Sequence, residues 1–249
     1  MKQLFSILLA CLLFPTVALG GGNEWNDSFS KAKKTLERQV YYDHRETLYC
    51  GTKYDAKKNI ALPEGFSTPA HEKRAGRMEW EHAVPAENFG RAFEEWREGD
   101  SQCVDRRGKA FKGRNCARKV SRDFRLMEAD MYNLFPAIGA VNAIRSNKQY
   151  SELPSSPAVF GICEAKVDGN RFEPPDRAKG QVARAALYME DPYGPRYTLS
   201  RQQRQLFEAW DKMFPVDEWE CTRAKRIEAI QGNENPFIKK PCQQAEMWY

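Results

Sequence analysis

Histidine is scarce in this chain: His44, His71 and His82 are the only three in 249 residues. No Cys-x-x-Cys pair and no closely spaced pair of histidines occurs, which removes the usual frameworks of a structural zinc site. There is no internal repeat, no low-complexity tract and no linker that would mark a second domain. Beyond residue 20 no apolar run approaches the ~20 residues that a membrane-spanning helix needs. The formal charge of +5 is too mild to identify a partner by itself.

The start of the chain reads as an export signal. Lys2 supplies the positive start, Leu4 to Phe14 an apolar run, and Ala18-Leu19-Gly20 the small residues of a cleavage site. Leu8-Leu9-Ala10-Cys11 faintly resembles a lipoprotein box, but the apolar run continues past Cys11, so that cysteine is assigned to the signal. The expectation is an exported protein, periplasmic or secreted, with residues 1–20 removed and residues 21–249 forming one domain. Six cysteines then remain, and an even number in an exported chain points to three disulfides. Six cysteines allow about 15 pairings. Close spacing favours Cys103–Cys116, and Cys163–Cys221 with Cys50–Cys242 then follow.

Charge is more informative by position than in total. Nine Lys or Arg residues face two acids between Asp105 and Arg125, and Cys116 lies within that run. A solvated face is the ordinary explanation, but a disulfide-braced basic lobe also attracts and orients a polyphosphate backbone.

Periodicity places a first helix over 26–42, with Asn26 or Asp27 as cap and Phe29, Ala32, Leu36 and Val40 on one face. Residues 55–72 read as a surface loop, Arg74 to Glu81 as a strand, and 86–98 as a weak helix. After Tyr132-Asn133-Leu134-Phe135, an extended turn, Pro136 suits the first position of a helix carrying Asn142 and Arg145. Residues 169–180 read as a loop and Gly180 to Met189 as a helix. Ser200-x-x-Gln203 is a capping box for a helix burying Leu206, Phe207, Trp210 and Met213. Glu218 to Ile230 forms another, with Gly232 as C-cap.

Chemistry concentrates in Met78-Glu79-Trp80-Glu81-His82. A half-buried strand with outward Glu79 and Glu81 is the plain reading. A carboxylate beside an imidazole, however, can hold a divalent metal and deprotonate a water. The order Glu81-His82, basic insertion, Asn133-Leu134-Phe135-Pro136 and helix with Asn142 is the strand, loop, strand, helix layout of a ββα-metal (His-Me finger) nuclease site. More closely, the chain resembles the bacterial endonuclease I family of exported, non-specific nucleases. The residues that carry the resemblance are Glu79 to Ala86, Gly113-Arg114-Asn115-Cys116, Met127 to Leu134 and Ile138 to Asn142. Ser200 to Gln203, Trp219-Glu220-Cys221 and Gln231-Gly232-Asn233 add to it.

The resemblance implies an α+β fold with a ββα-metal core, additional helices and disulfide braces. It implies a monomer that cuts DNA, and RNA as well, to 5′-phosphorylated products using Mg2+, with Ca2+ or Mn2+ as substitutes. His82 is then the general base on water. Glu81 and Asn142 hold the metal, Arg114 contacts phosphate, and Glu128 is a supporting acid. Arg118 and Arg145 are candidate phosphate contacts, although Arg145 could equally cover a helix end. Asn133 orients the loop or contacts substrate. Many members carry another cysteine two residues after the position of Cys50; this chain has Thr52 there, so one family disulfide is absent. Two other readings stay open: a phosphodiesterase acting on small substrates, and a non-catalytic nucleic-acid binding module. Nine basic residues exceed what a small substrate needs, and a binding module has no use for Glu81, His82 and Asn142 together.

Overall fold

The computed structural model describes residues 21–248; the signal assigned to residues 1–20, Cys11 included, lies outside them. Ser28 caps helix α1 (Phe29–Thr35) by accepting from Lys31 N, so the helix starts later than Asn26 or Asp27 would give. It widens into a π-helical turn over Leu36–Val40. Ala32, Leu36 and Val40 are buried, as the periodicity requires. Helix α2 (Glu72–Ala75) then leads into strand β1 (Met78–His82), which takes the end of the expected strand and gives up its start to α2. The weak helix expected over 86–98 is two short ones, α3 (Ala86–Gly90) and α4 (Glu94–Arg97).

The basic lobe is braced by Cys103–Cys116 and feeds α5 (Arg114–Val120) and α6 (Arg122–Glu128). A 3-10 turn, Met131–Asn133, passes to β2 (Leu134–Ile138) and α7 (Gly139–Arg145). Strands β1 and β2 form an antiparallel ribbon pairing His82 with Leu134, Trp80 with Pro136 and Met78 with Ile138. Pro136 therefore sits inside a strand and does not open the helix. A two-stranded ribbon has only edge strands, where a residue without an N–H is tolerated, and the Pro136 carbonyl accepts from Leu48 N at 2.8 Å. Helix α7 starts instead at Gly139, where a Cβ would lie 2.6 Å from Arg74 O and 2.8 Å from Glu79 Oε1. Only glycine lets the helix approach the ribbon so closely.

A second sheet was not expected from the sequence. Strands β3 (Gln149–Tyr150), β4 (Ala158–Phe160), β5 (Cys163–Asp168) and β6 (Arg171–Glu173) pair in the order β3-β6-β5-β4. Much of the loop read over 169–180 is thus the β5–β6 turn, β6 and the start of α8 (Asp176–Tyr193). These strands are short and carry Lys, Glu and Asp, so no alternating apolar pattern announces them. The remaining helices are α9 (Arg201–Met213), α10 (Glu218–Gln231) and α11 (Pro236–Gln244). Ser200 caps α9 through Gln203 N, and Gly232 ends α10 at φ 84°, both as expected. Phe207 and Trp210 are buried, whereas Met213 is 68% exposed, contrary to its assignment to the core.

Two of the three disulfide pairings differ from expectation. Cys50 joins Cys163, and Cys221 joins Cys242; Cys163–Cys221 and Cys50–Cys242 do not form. Helices α10 and α11 pack as neighbours and bring Cys221 and Cys242 to a Cα separation of 5.7 Å, within bonding reach. The unexpected sheet carries Cys163 at the start of β5 to within 5.0 Å of Cys50. Among the described residues no helix is long and apolar enough to cross a membrane.

Candidate active site

Successive side chains of a strand point to opposite faces, and β1 uses both. Trp80 and His82 face α1: Trp80 Nε1 donates to Glu37 Oε1 at 3.0 Å, and the His82 ring lies 5.0 Å from that of Phe29. Glu79 and Glu81 face α7: Asn142 Nδ2 donates to Glu79 Oε2 at 3.2 Å, and Arg145 Nη1 to Glu81 Oε1 at 3.0 Å. Glu81 is only 3% exposed, so it is not the outward carboxylate of the plain strand reading.

His82 Nε2 is 2.9 Å from the Glu128 carbonyl oxygen. A carbonyl can only accept, so Nε2 carries the proton and Nδ1 keeps its lone pair in the neutral ring. Burial, with the positive charge of Arg114 adding to it, pushes the His82 pKa down to about 4. The imidazole is therefore neutral around pH 7, the state a general base requires.

Glu128 sits beneath this histidine and gathers two arginines. Arg114 Nε donates to Oε1 at 2.5 Å; Arg118 donates from Nη2 to Oε1 at 2.5 Å and from Nε to Oε2 at 2.7 Å. Burial works to raise the Glu128 pKa, but the Arg118 hydrogen bonds and the Arg114 charge outweigh it and hold the carboxyl below its usual range. Arg114 Nη2 is buried and has no hydrogen-bond partner among the described residues. A buried guanidinium donor left without a partner is costly.

On the opposite face, Glu81 Oε1 also accepts from Tyr49 Oη at 2.9 Å. Burial pushes the Glu81 pKa up to about 7, against the charge of Arg145 and the Tyr49 hydrogen bond. Arg145 is buried and not presented to a backbone phosphate. Its Nη1 donates to His82 O at 2.8 Å and its Nη2 to Ala83 O at 2.5 Å, so it fastens the end of β1. Asn133 does the same from β2: its Oδ1 accepts from Val84 N at 2.7 Å and its Nδ2 donates to Val84 O at 2.9 Å. Both ends of the amide are thus engaged with the Val84 backbone.

Among the described residues no three His, Cys, Asp or Glu side chains converge as a metal cluster. Mg2+ seldom needs such a cage, because it keeps several waters and takes one or two carboxylates. Glu79 and Glu81 share one strand face, and Asn142 on the facing helix donates to Glu79; side-chain oxygens of this kind are the donors a hard cation takes. Glu79 was missed in the sequence, although its i, i+2 spacing from Glu81 on a strand was the available signal. It also takes Arg74 in a two-pronged contact of 3.0 and 2.5 Å. Phe29 and Tyr49 were missed as well, because nothing local marks residues that reach a site from distant segments.

Comparison with known proteins identifies the family of the chain. The family model Endonuclease I matches residues 26–242. An extracellular deoxyribonuclease of Aeromonas hydrophila is 43% identical over 223 residues, covering 87% of this chain and 91% of the relative. A periplasmic deoxyribonuclease of the same organism is 43% identical over 223 residues, covering 87% of each. Across a shorter stretch, an extracellular ribonuclease of Bacillus amyloliquefaciens is 32% identical over 139 residues, 48% of this chain and 46% of the relative. With its motifs in order along nearly the whole described chain, this protein belongs to the endonuclease I family of nucleases.

Proposed function

We propose that the chain is an exported, Mg2+-dependent endonuclease that hydrolyses DNA, and RNA as well, without sequence preference. The observation that carries this reading is the His82 imidazole, neutral and fixed by the Glu128 carbonyl with Nδ1 free, beside the unpartnered Arg114 Nη2. In the proposed reaction His82 Nδ1 takes a proton from the attacking water. The water oxygen bonds to phosphorus as the bond to the 3′ oxygen breaks; the departing 3′ oxygen takes a proton from solvent water, leaving a 5′-phosphate and a 3′-hydroxyl, and His82 later returns its proton to solvent. Arg114 Nη2 grips a non-bridging phosphate oxygen, and Glu128 holds Arg114 and Arg118 in place while its carbonyl orients His82. Glu81 and Asn142 would hold the divalent cation, with Glu79 beside them on the same face. A cation held by these residues would supply Lewis-acid stabilisation of the charge that develops on the phosphate and leaving oxygen. Helix α7 with the β1–β2 ribbon is then the ββα-metal unit of the fold.

Water as the nucleophile makes no demand on a 2′-hydroxyl, and contacts made to phosphate alone carry no sequence information. The relatives named as deoxyribonucleases and as a ribonuclease support both substrates. Their extracellular and periplasmic names, the leader-like residues 1–20 and three disulfides support export. The test is digestion of supercoiled plasmid by oxidised protein with Mg2+ or with EDTA, beside His82→Ala. Nicking that needs the metal and falls by orders of magnitude in the variant is expected. Plasmid bound yet left intact under every divalent metal would refute the enzyme and favour a binding module.

A further inference from the structure

The face of β1 that carries His82 is overhung by two lysines, Lys33 and Lys58, that the proposed reaction does not use. Lys33, on α1, places its Nζ 4.5 Å from the centroid of the Phe29 ring, and Arg114 places its guanidinium carbon 5.4 Å from the same ring. That ring is the one packed 5.0 Å from His82. Lys33 is thus joined to the catalytic histidine through a single aromatic side chain. Lys58 stands on the same side: its Nζ pairs with Glu37 Oε1 at 2.5 Å, the carboxylate that also takes Trp80 Nε1. The Lys58 backbone has φ 71°, a conformation a lysine rarely adopts, and its carbonyl accepts from Met78 N at 2.8 Å at the start of β1. A strained backbone position clamped to the strand fixes where its side chain starts.

Charge counting shows what the group lacks. Lys33, Lys58, Arg114 and Arg118 are four cations; Glu37 and Glu128 are the two carboxylates that pair with them. Two positive charges are left over, and Lys33 forms no ion pair among the described residues. Burial, then the repulsion of Lys58 and, more weakly, of Arg118 and Arg114, lowers the Lys33 pKa against the attraction of Glu37. The scissile phosphate carries one negative charge, and a nucleic-acid backbone brings the next with it.

We propose that Lys33, backed by Phe29 and Lys58, is the subsite for the backbone phosphate next to the scissile one, so that α1 forms one wall of the substrate groove. The inference rests on the nuclease reading above. Lys33 touches no reacting atom; its work is to hold the strand in register so that the scissile phosphate meets His82 and Arg114.

The test separates binding from cleavage. In the His82→Ala background, with EDTA, the affinity for a fluorescein-labelled duplex is measured by anisotropy across a KCl series. Each phosphate contact contributes ~0.9 to the slope of log K against log salt, which is roughly 8-fold in affinity at 0.1 M. Lys33→Ala is expected to lower the slope by about 0.9 and weaken binding by about 8-fold, by the same counterion argument. Lys33→Arg restores both, and Lys58→Gln lowers the slope in the same direction. Lys225→Ala, an exposed lysine on α10, controls for net charge. With active protein and Mg2+, Lys33→Ala raises KM and leaves kcat within about twofold, because the contact is made equally in ground and transition states. A slope and affinity equal to those of the unsubstituted Lys33 protein overturn the proposal, as does a loss confined to kcat. If the wild type binds but never cuts while Lys33→Ala still lowers the slope, the enzyme reading fails and the phosphate subsite stands.

Discussion

Replacing Glu128 with glutamine changes one atom and tests how the site is assembled. The carboxylate is buried and accepts three hydrogen bonds from Arg114 and Arg118. A hydrogen bond to a charged group contributes about 1.5–3 kcal/mol when well shielded. Both arginine side chains are more than a third exposed, at 38% and 40%, so water screens the pairs and the bonds are not additive. Glutamine keeps one acceptor oxygen but loses the charge and turns a donor toward a guanidinium. The expected cost is about 1–3 kcal/mol at pH 7, or roughly 2–12 °C in Tm for a chain of this size. The sign with pH follows from linkage. Folding lowers the Glu128 pKa below its ordinary 4.5, so its stabilisation is present above that value and is lost as pH falls through the folded pKa. Glu128→Gln should therefore be less stable than wild type at pH 7, and the two should converge as the pH drops below 4.5. Thermal unfolding followed by circular dichroism from pH 7 to pH 3, with the disulfides intact, reads both quantities. A gap of the same size at both ends of that range, or no gap at pH 7, would refute the charge argument.

Peptide mapping of the unreduced protein should recover Cys50–Cys163, Cys103–Cys116 and Cys221–Cys242; a peptide linking Cys163 to Cys221 would contradict the fold. The Cys50–Cys163 bond spans 113 residues and Cys103–Cys116 spans 13. On loop-closure grounds their removal costs about 4.7 and 3 kcal/mol respectively, so strong reductant should abolish activity. Full activity with all thiols counted free would contradict that. Arg145→Met strips the donor from His82 O and Ala83 O and leaves Glu81 without its cation. A loss of at least about 2 kcal/mol is expected from the two orphaned carbonyls, part of it recovered by adding Glu81→Gln; a Tm within 2 °C of wild type would count against the network.

The parts legible in sequence were those set by nearest neighbours along the chain. Helix periodicity placed α9 and α10, and Ser200 and Gly232 marked ends that only local hydrogen bonds and a left-handed glycine decide. Close spacing correctly paired Cys103 with Cys116, and the same argument applied to Cys221 and Cys242, 21 residues apart, would have found that bond too. Pro136 misled because its ring suits a helix start and an edge strand alike, and only its partner Trp80 decides which.

By itself the sequence determined the ingredients: a strand bearing a carboxylate and an imidazole, a basic lobe, a later helix with Asn142, and enough cysteine for three bridges. Tertiary structure alone decided what each ingredient touches. It turned Glu81 inward onto Arg145, brought Glu79 to Asn142, set the Phe29 ring against His82 with Lys33 over that ring, and placed the Glu128 carbonyl where it selects the imidazole tautomer. The physical reason is range. Periodicity and capping act over a few residues of chain, whereas the ionisation, tautomer and free lone pair of a catalytic group depend on burial and on partners tens of residues away, which become neighbours only when the core packs.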